Sequence, residues 1–184
     1  MNAYQQALLA HYAHQWGIQP TALATQRPSA HPVPATFQVL EFAPTPARTM
    51  WTYATCGMSL PNMPQQLELH LFSSQQSPEL VDLLTAVAHY HQTAHALGVD
   101  HTVNFGVPWL PDSACSCGLV SLPYLDGPSL EQMPYQAQQV QCLWLIPITP
   151  TERDFKVAHG VEALEELFEQ TGIDYVNPTR PSVV

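Results

Sequence analysis

The chain is poor in positive charge. Lys and Arg total 5 of 184 residues against 15 Asp and Glu, for a formal net charge of −10. Binding along a phosphate backbone needs clustered cations, so nucleic acid and anionic membrane surfaces are not expected partners. Charged residues of both signs make up only 11%, and polarity comes instead from Gln, His, Thr and Ser. No apolar run reaches the roughly 18 residues of a membrane-spanning helix. Met1 to Gly17 lacks the basic start and continuous apolar stretch of a signal peptide. Gly totals 8 and is scattered, which leaves no glycine-rich loop to cradle a phosphate. Cysteines stand at 56, 115, 117 and 142 without the spacing of a disulfide framework, and the expected compartment is the cytoplasm.

What is present is a globular composition, 46% hydrophobic, at the length of one ordinary domain covering 1–184. Residues 1–35 read as a helix and a proline-rich arm, and 36–182 as the core. Tyr4, Leu8, Tyr12 and Trp16 share one helical face, and Gly17 stops that helix. Pro20, Pro28, Pro32 and Pro34 then punctuate an extended connector. Strands are expected over Thr36–Phe42, Thr49–Cys56 and Gln65–Phe72. In the last, Leu67, Leu69 and Leu71 alternate with Glu68 and His70, the pattern of a half-buried strand. Ser77-Pro78-Glu79 opens a helix whose apolar face is Leu80, Leu83, Leu84, Val87, Tyr90 and Ala94, ended by Gly98. Loop and short strand fill Asp100 to Tyr124. Val140 to Ile148, nearly continuous in apolar residues, reads as a central strand. Thr149-Pro150-Thr151-Glu152 is a capping box that starts a helix to His159, and a second amphipathic helix follows Gly160. The fold class is α+β, a mixed, largely antiparallel sheet flanked by helices.

Candidate chemistry is thin. His89, His91, His95 and His101 could form a metal cluster, since His91 and His95 lie four apart on a helix. A zinc site needs three or four converging ligands, and Cys115-Ser116-Cys117 has one intervening residue where zinc motifs have two to four. Gly57-Met58-Ser59 follows a strand, but Leu60 and Pro61 replace the glycine and helix of a nucleophile elbow. No cofactor is expected and the chain does not read as an enzyme; a metal-binding protein or metal-dependent enzyme built on the four histidines is the alternative. Arg180 is expected to pair with an acid and pin the C-terminal tail.

Four passages together resemble one family. Trp51 to Ser59, an aromatic strand ending in a Gly-Met-Ser turn, and Gln66 to His70, with a glutamate between apolar residues, are similar to consecutive strands of Suppressor of fused proteins. Leu143 to Glu152, with Gly160 and the helix after it, resembles the strand, turn and capped helix of that family. Pro178 to Ser182 resembles its arginine-and-serine close. The similarity covers Phe37 to Ser182. It implies a non-enzymatic protein-binding module. Animal members bind Gli transcription factors and restrain Hedgehog signalling, accepting a short peptide as an added strand. The peptide-contacting tyrosine and aspartate of the family correspond to Tyr90 and Asp100, with His101 beside them. The turn Gly98-Val99-Asp100-His101 carries one residue more than the family's Gly-Asp-His. The second domain that closes over the peptide in animal proteins is not expected here, so Gli binding is not implied. Small bacterial relatives resemble immunity proteins. The resemblance therefore implies another protein as partner, either a basic toxin that the acidic chain would attract or a peptide added as a strand.

Overall fold

The computed structural model describes residues 1–24 and 31–184. The four-residue recurrence at the N-terminus forms α1 (Ala3–Trp16), which buries Leu8, Tyr12 and Trp16 and is capped reciprocally by Asn2 and Gln5. Four strands follow, β1 (Ala22–Ala24), β2 (Gln38–Phe42), β3 (Trp51–Cys56) and β4 (Gln66–Ser73), each antiparallel to the one before. Next come α2 (Glu79–Thr93), β5 (Thr102–Asn104) and β6 (Cys117–Ser121). The short α3 (Pro128–Glu131) leads into β7 (Gln132–Tyr135) and the long β8 (Gln138–Ile148). Helices α4 (Pro150–His159) and α5 (Val161–Thr171) follow. The sheet order is β1-β2-β3-β4-β8-β6-β5, with β7 paired to the first residues of β8. β4 and β8 run parallel and the other ladders are antiparallel. This is the α+β architecture that the sequence pattern implies.

Three apolar clusters fix the layers. On one face α2 packs Leu80, Leu84 and Val87 against Leu67, Leu69, Leu71, Leu143 and Leu145. The opposite face is shared. α1 covers Leu40, Ala54, Cys56 and Cys142. α5 covers Leu119, Trp144, Ile146 and Ile148 with Leu164 and Phe168. Because helices lie on both faces, β4 is buried along its whole length, not half-buried as its alternation suggests. Glu68 and His70 are fully enclosed under α1, where alternation alone would expose them.

Other departures are local. α2 ends at Thr93, before Gly98, and its buried stripe includes His91 while Tyr90 is 38% exposed. The Ser77 hydroxyl donates to Glu79 and caps no backbone N–H. β1, α3 and β7 are additional to the expected elements, β1 falling inside the proline-rich arm, of which 25–30 lie outside the described residues. The C-terminal third follows its local signals. Thr149 accepts from the Glu152 N–H at 3.2 Å and Glu152 accepts from the Thr149 N–H at 2.8 Å, closing the capping box.

Candidate functional site

The passages that carry the family resemblance turn out to be structural clamps. Glu68, on β4, accepts hydrogen bonds from the Thr55 hydroxyl at 2.6 Å, the Tyr4 hydroxyl at 2.7 Å, the Gly57 N–H at 2.8 Å and the Met58 N–H at 3.1 Å. One carboxyl thus ties α1 to the Gly-Met-Ser turn. Gly57 holds φ +90°, and a Cβ there would stand 3.3 Å from the Thr36 carbonyl oxygen. Burial pushes the Glu68 carboxyl above its ordinary pKa against the pull of these four donors. At the other end, Arg180 donates to both Glu152 oxygens at 2.7 Å and to the Pro147 carbonyl at 3.0 Å. This is the acid partner expected for Arg180, and it pins the tail to the start of α4.

Ser59 and His91 meet at 3.0 Å, but their hydrogen bonds run the wrong way for nucleophilic catalysis. His91 Nδ1 accepts from the Leu97 N–H at 2.8 Å, so its proton sits on Nε2 and is donated to Ser59. The Ser59 hydroxyl also accepts from the Leu67 N–H at 2.7 Å and donates to the Leu67 carbonyl at 3.1 Å, which completes its valence. A base would need Nε2 free to accept. Burial holds His91 down at a pKa of about 4.

The histidine cluster is dispersed by the same fold. His91 points into the core, whereas His89 donates from Nδ1 to the Pro32 carbonyl at 2.7 Å on the outside of α2. His95 and His101 face each other with ring centroids 6.4 Å apart. Among the described residues no three His, Cys, Asp or Glu side chains come together as a metal site, and the metal alternative loses its geometric basis. All four cysteines are free and buried.

The remaining expected residues, Tyr90, Asp100 and His101, lie around β5, an edge strand at the opposite end of the sheet from β1. Val120 donates to the His101 carbonyl and Phe105 to the Ser116 carbonyl, both at 2.9 Å. In an antiparallel ladder of that phase Val103 also faces β6 (Val103↔Gly118). The backbone N–H and C=O groups of Thr102 and Asn104 therefore point outward, and no strand pairs with them among the described residues. Asp100 opens the edge in the left-handed conformation, φ 66°. Its N–H donates to the Val120 carbonyl, while the His101 N–H closes a turn onto Gly98. This is a G1-type bulge with aspartate in glycine's place, a device that re-aims a strand. Lys156 on α4 donates to the Asp100 carbonyl at 2.5 Å and holds the turn.

On the α2 side of the edge, a cavity of about 320 Å³ lies between Leu83, Val87 and Tyr90 of the helix and Val103, Asn104 and Phe105 of the strand. Tyr90 thus borders the edge at its far end, and His101 lines a separate cavity with His91 and Leu97. Close packing of β5 onto β6 depends on Gly118, where a Cβ would meet Leu145 and Phe105 atoms at 2.6 Å. Apart from Met1 and Val184, the large exposed hydrophobic residues among those described are Tyr90, Val107, Tyr124, Leu125 and Val157. Of these, Tyr90 lines the cavity beside β5 and Val107 stands in the loop that follows it. Sequence reasoning placed residues here only through the family resemblance. It missed Thr102, Asn104 and Lys156, for which the only signal was a Gly98-x-Asp100 turn before a short β-prone run.

The described residues thus combine an α+β fold, an unpaired sheet edge at β5 and a Ser–His contact oriented against catalysis. The chain belongs to the Suppressor of fused family, whose model, described as Suppressor of fused protein (SUFU), matches residues 34–181. It is similar to a solved Suppressor of fused homologue from Neisseria gonorrhoeae, at 32% identity and TM-score 0.81 over 98% of this chain and 97% of that one. The fold is shared with the Sufu–Fu complex (14% identity, TM-score 0.70, covering 98% of this chain and 92% of that one). It is shared also with Drosophila Suppressor of Fused (13% identity, TM-score 0.66, covering 98% of this chain and 51% of that one). No curated protein matches the sequence. No helix among the described residues is long and apolar enough to cross a membrane.

Proposed function

We propose that this chain is a protein-binding module that takes an extended segment of another protein as an added strand along β5. The observation that carries this reading is the outward-facing backbone of Thr102 and Asn104 at the sheet edge, bordered by exposed Tyr90 and Val107. Backbone pairing would supply affinity, and the cavity between α2 and β5 would select the side chain that enters it. A resemblance to proteins that bind partners, including one solved as the Sufu–Fu complex, supports the same reading. Toxin neutralisation in the cytoplasm is the form of this function that the net charge of −10 favours, since an acidic body draws a basic partner at long range.

The test is capture from the native host with the tagged chain and a Thr102→Pro variant. Proline removes one outward N–H and is tolerated at a sheet edge, so the inner ladder to β6 persists. Capture of a near-stoichiometric protein by the parent and its loss with the variant is the expected result. Equal capture by both would move the site away from β5. Co-expression that protects cells from a toxin encoded beside the chain would establish the neutralising role; failure against every such toxin would remove it.

A further inference from the structure

Resting on the added-strand reading, we infer that the segment received by β5 alternates acidic, apolar and acidic residues, although the protein itself is strongly acidic. The chain has 5 cations. Arg48 is spent on Asp126 and Arg180 on Glu152, both pairs largely buried. Arg27 lies outside the described residues. Among the described residues this leaves Arg153 and Lys156 as the cations outside a buried ion pair, and both stand on α4 beside the free edge.

Their placement matches the register of the strand. Asn104 pairs with Cys117 and Thr102 with Leu119, and Cys117 and Leu119 face the α4–α5 layer, so the Thr102 and Asn104 side chains lie on that face too. Arg153 reaches the Cys117 sulfur at 3.9 Å, at the Asn104 end. Lys156 reaches the Asp100 carbonyl at 2.5 Å, at the Thr102 end. A strand laid against β5 would carry side chains opposite Thr102 and Asn104 about 6.8 Å apart on the α4 face. Each of these falls beside one cation. The residue between them, opposite Val103, turns to the other face and enters the cavity lined by Leu83, Val87, Tyr90 and Phe105, which His31 and His89 also border and which no Asp, Glu, Lys or Arg lines. Arg153 is partly satisfied by Asp154, a carboxylate 66% exposed, and Asp100 is also exposed at the start of the edge. An acidic strand competes with Asp154 for Arg153, and Lys156 gives Asp100 only a bond to its carbonyl. The net charge of the body acts at long range, whereas these two cations act at contact.

The test uses isotope-labelled full-length protein and three short, end-blocked peptides with the central sequences Glu-Leu-Glu, Ser-Leu-Ser and Lys-Leu-Lys. Amide resonances of Thr102 and Asn104 are followed during titration. The expected result is a dissociation constant for the acidic peptide about tenfold below that of the serine peptide, the size of two solvent-exposed ion pairs. The advantage should vanish in high salt and in the Arg153→Gln/Lys156→Gln variant. The wild-type comparison of the three peptides stands even if that variant disturbs the Asp100 turn. A lysine peptide that binds at these amides as tightly as the acidic one would overturn the inference and leave the added-strand reading intact. Acid preference that survives in the variant would overturn the role of the two cations. If no peptide moves these amides, the added-strand reading fails and this inference fails with it.

Discussion

Replacing Arg180 with methionine removes the guanidinium that holds the tail but leaves Glu152 fully enclosed. The carboxylate would keep its bonds from the Thr149 and Val183 N–H groups and lose both bonds from Arg180. Breaking a buried pair on one side typically costs about 3–5 kcal/mol, because a buried charge is left uncompensated. For a chain of this size each kcal/mol shifts the melting temperature by roughly 2–4 °C, so Arg180→Met should melt about 10 °C lower. Adding Glu152→Gln should recover much of the loss by removing the stranded charge. The deficit is also pH-dependent. Burial pushes the Glu152 carboxyl upward, but the Arg180 hydrogen bonds, the Thr149 N–H, the Arg180 charge and the Val183 N–H outweigh it and hold the pKa below the usual carboxylate value. A depressed carboxyl contributes stability above its unfolded pKa and loses it as pH falls through the folded one. The gap between parent and Arg180→Met should therefore be full at neutral pH and close in strong acid. Calorimetry across that range checks both claims. A loss under about 1 kcal/mol, or a gap independent of pH, would refute the clamp.

Three further outcomes are expected. Burial lowers His70 and His91 each to a pKa of about 4, so the unfolded chain takes up protons first and stability should fall as pH drops from neutral toward that value. The linkage amounts to about 1.4 kcal/mol per histidine at pH ~5.5, readable as a shift in urea midpoints. Both ring nitrogens of His70 are buried without a hydrogen-bond partner, and its ring lies 5.3 Å from Phe72 and 5.7 Å from Trp16. His70→Phe should match or exceed the parent in stability at neutral pH and remove that histidine's share of the pH slope. Thr149→Ala deletes the cap of α4 and should cost about 1 kcal/mol in denaturant titrations. Equimolar zinc should leave the melting temperature and the His89, His91, His95 and His101 resonances unchanged, and a rise of several degrees would restore the metal alternative.

The fold was more legible in the sequence than the site, for a physical reason. The Thr149–Glu152 capping box, the strand runs and the Arg180 tail are local or self-announcing, and each appears where the pattern puts it, whereas the cap expected from Ser77 does not form. Gly57, Glu68, Glu152 and Arg180, which lie in the passages that carry the family resemblance, all take part in buried or part-buried hydrogen bonds. Burial of Glu68 and His70 was not legible, because alternation reports one covered face and cannot report that α1 covers the other. Exposure of Tyr90 was missed because helical spacing places it on the apolar face, whereas the structure turns His91 inward to bond Ser59 and Leu97. The edge itself is set by strand order: β5 pairs only with β6, and β6 joins the rest of the sheet through β8, a pairing distant in sequence. Lys156 and Asp100 are 56 positions apart, and nothing local links them.

Hydrogen exchange of the Thr102 and Asn104 amides, measured on the free chain and on its complex with a captured partner, tests the central claim most directly. An added strand predicts fast exchange in the free chain and strong protection of both amides in the complex, with the Val103 amide protected in each state. Unchanged exchange at Thr102 and Asn104 in a saturated complex, with protection appearing on another surface, would contradict it.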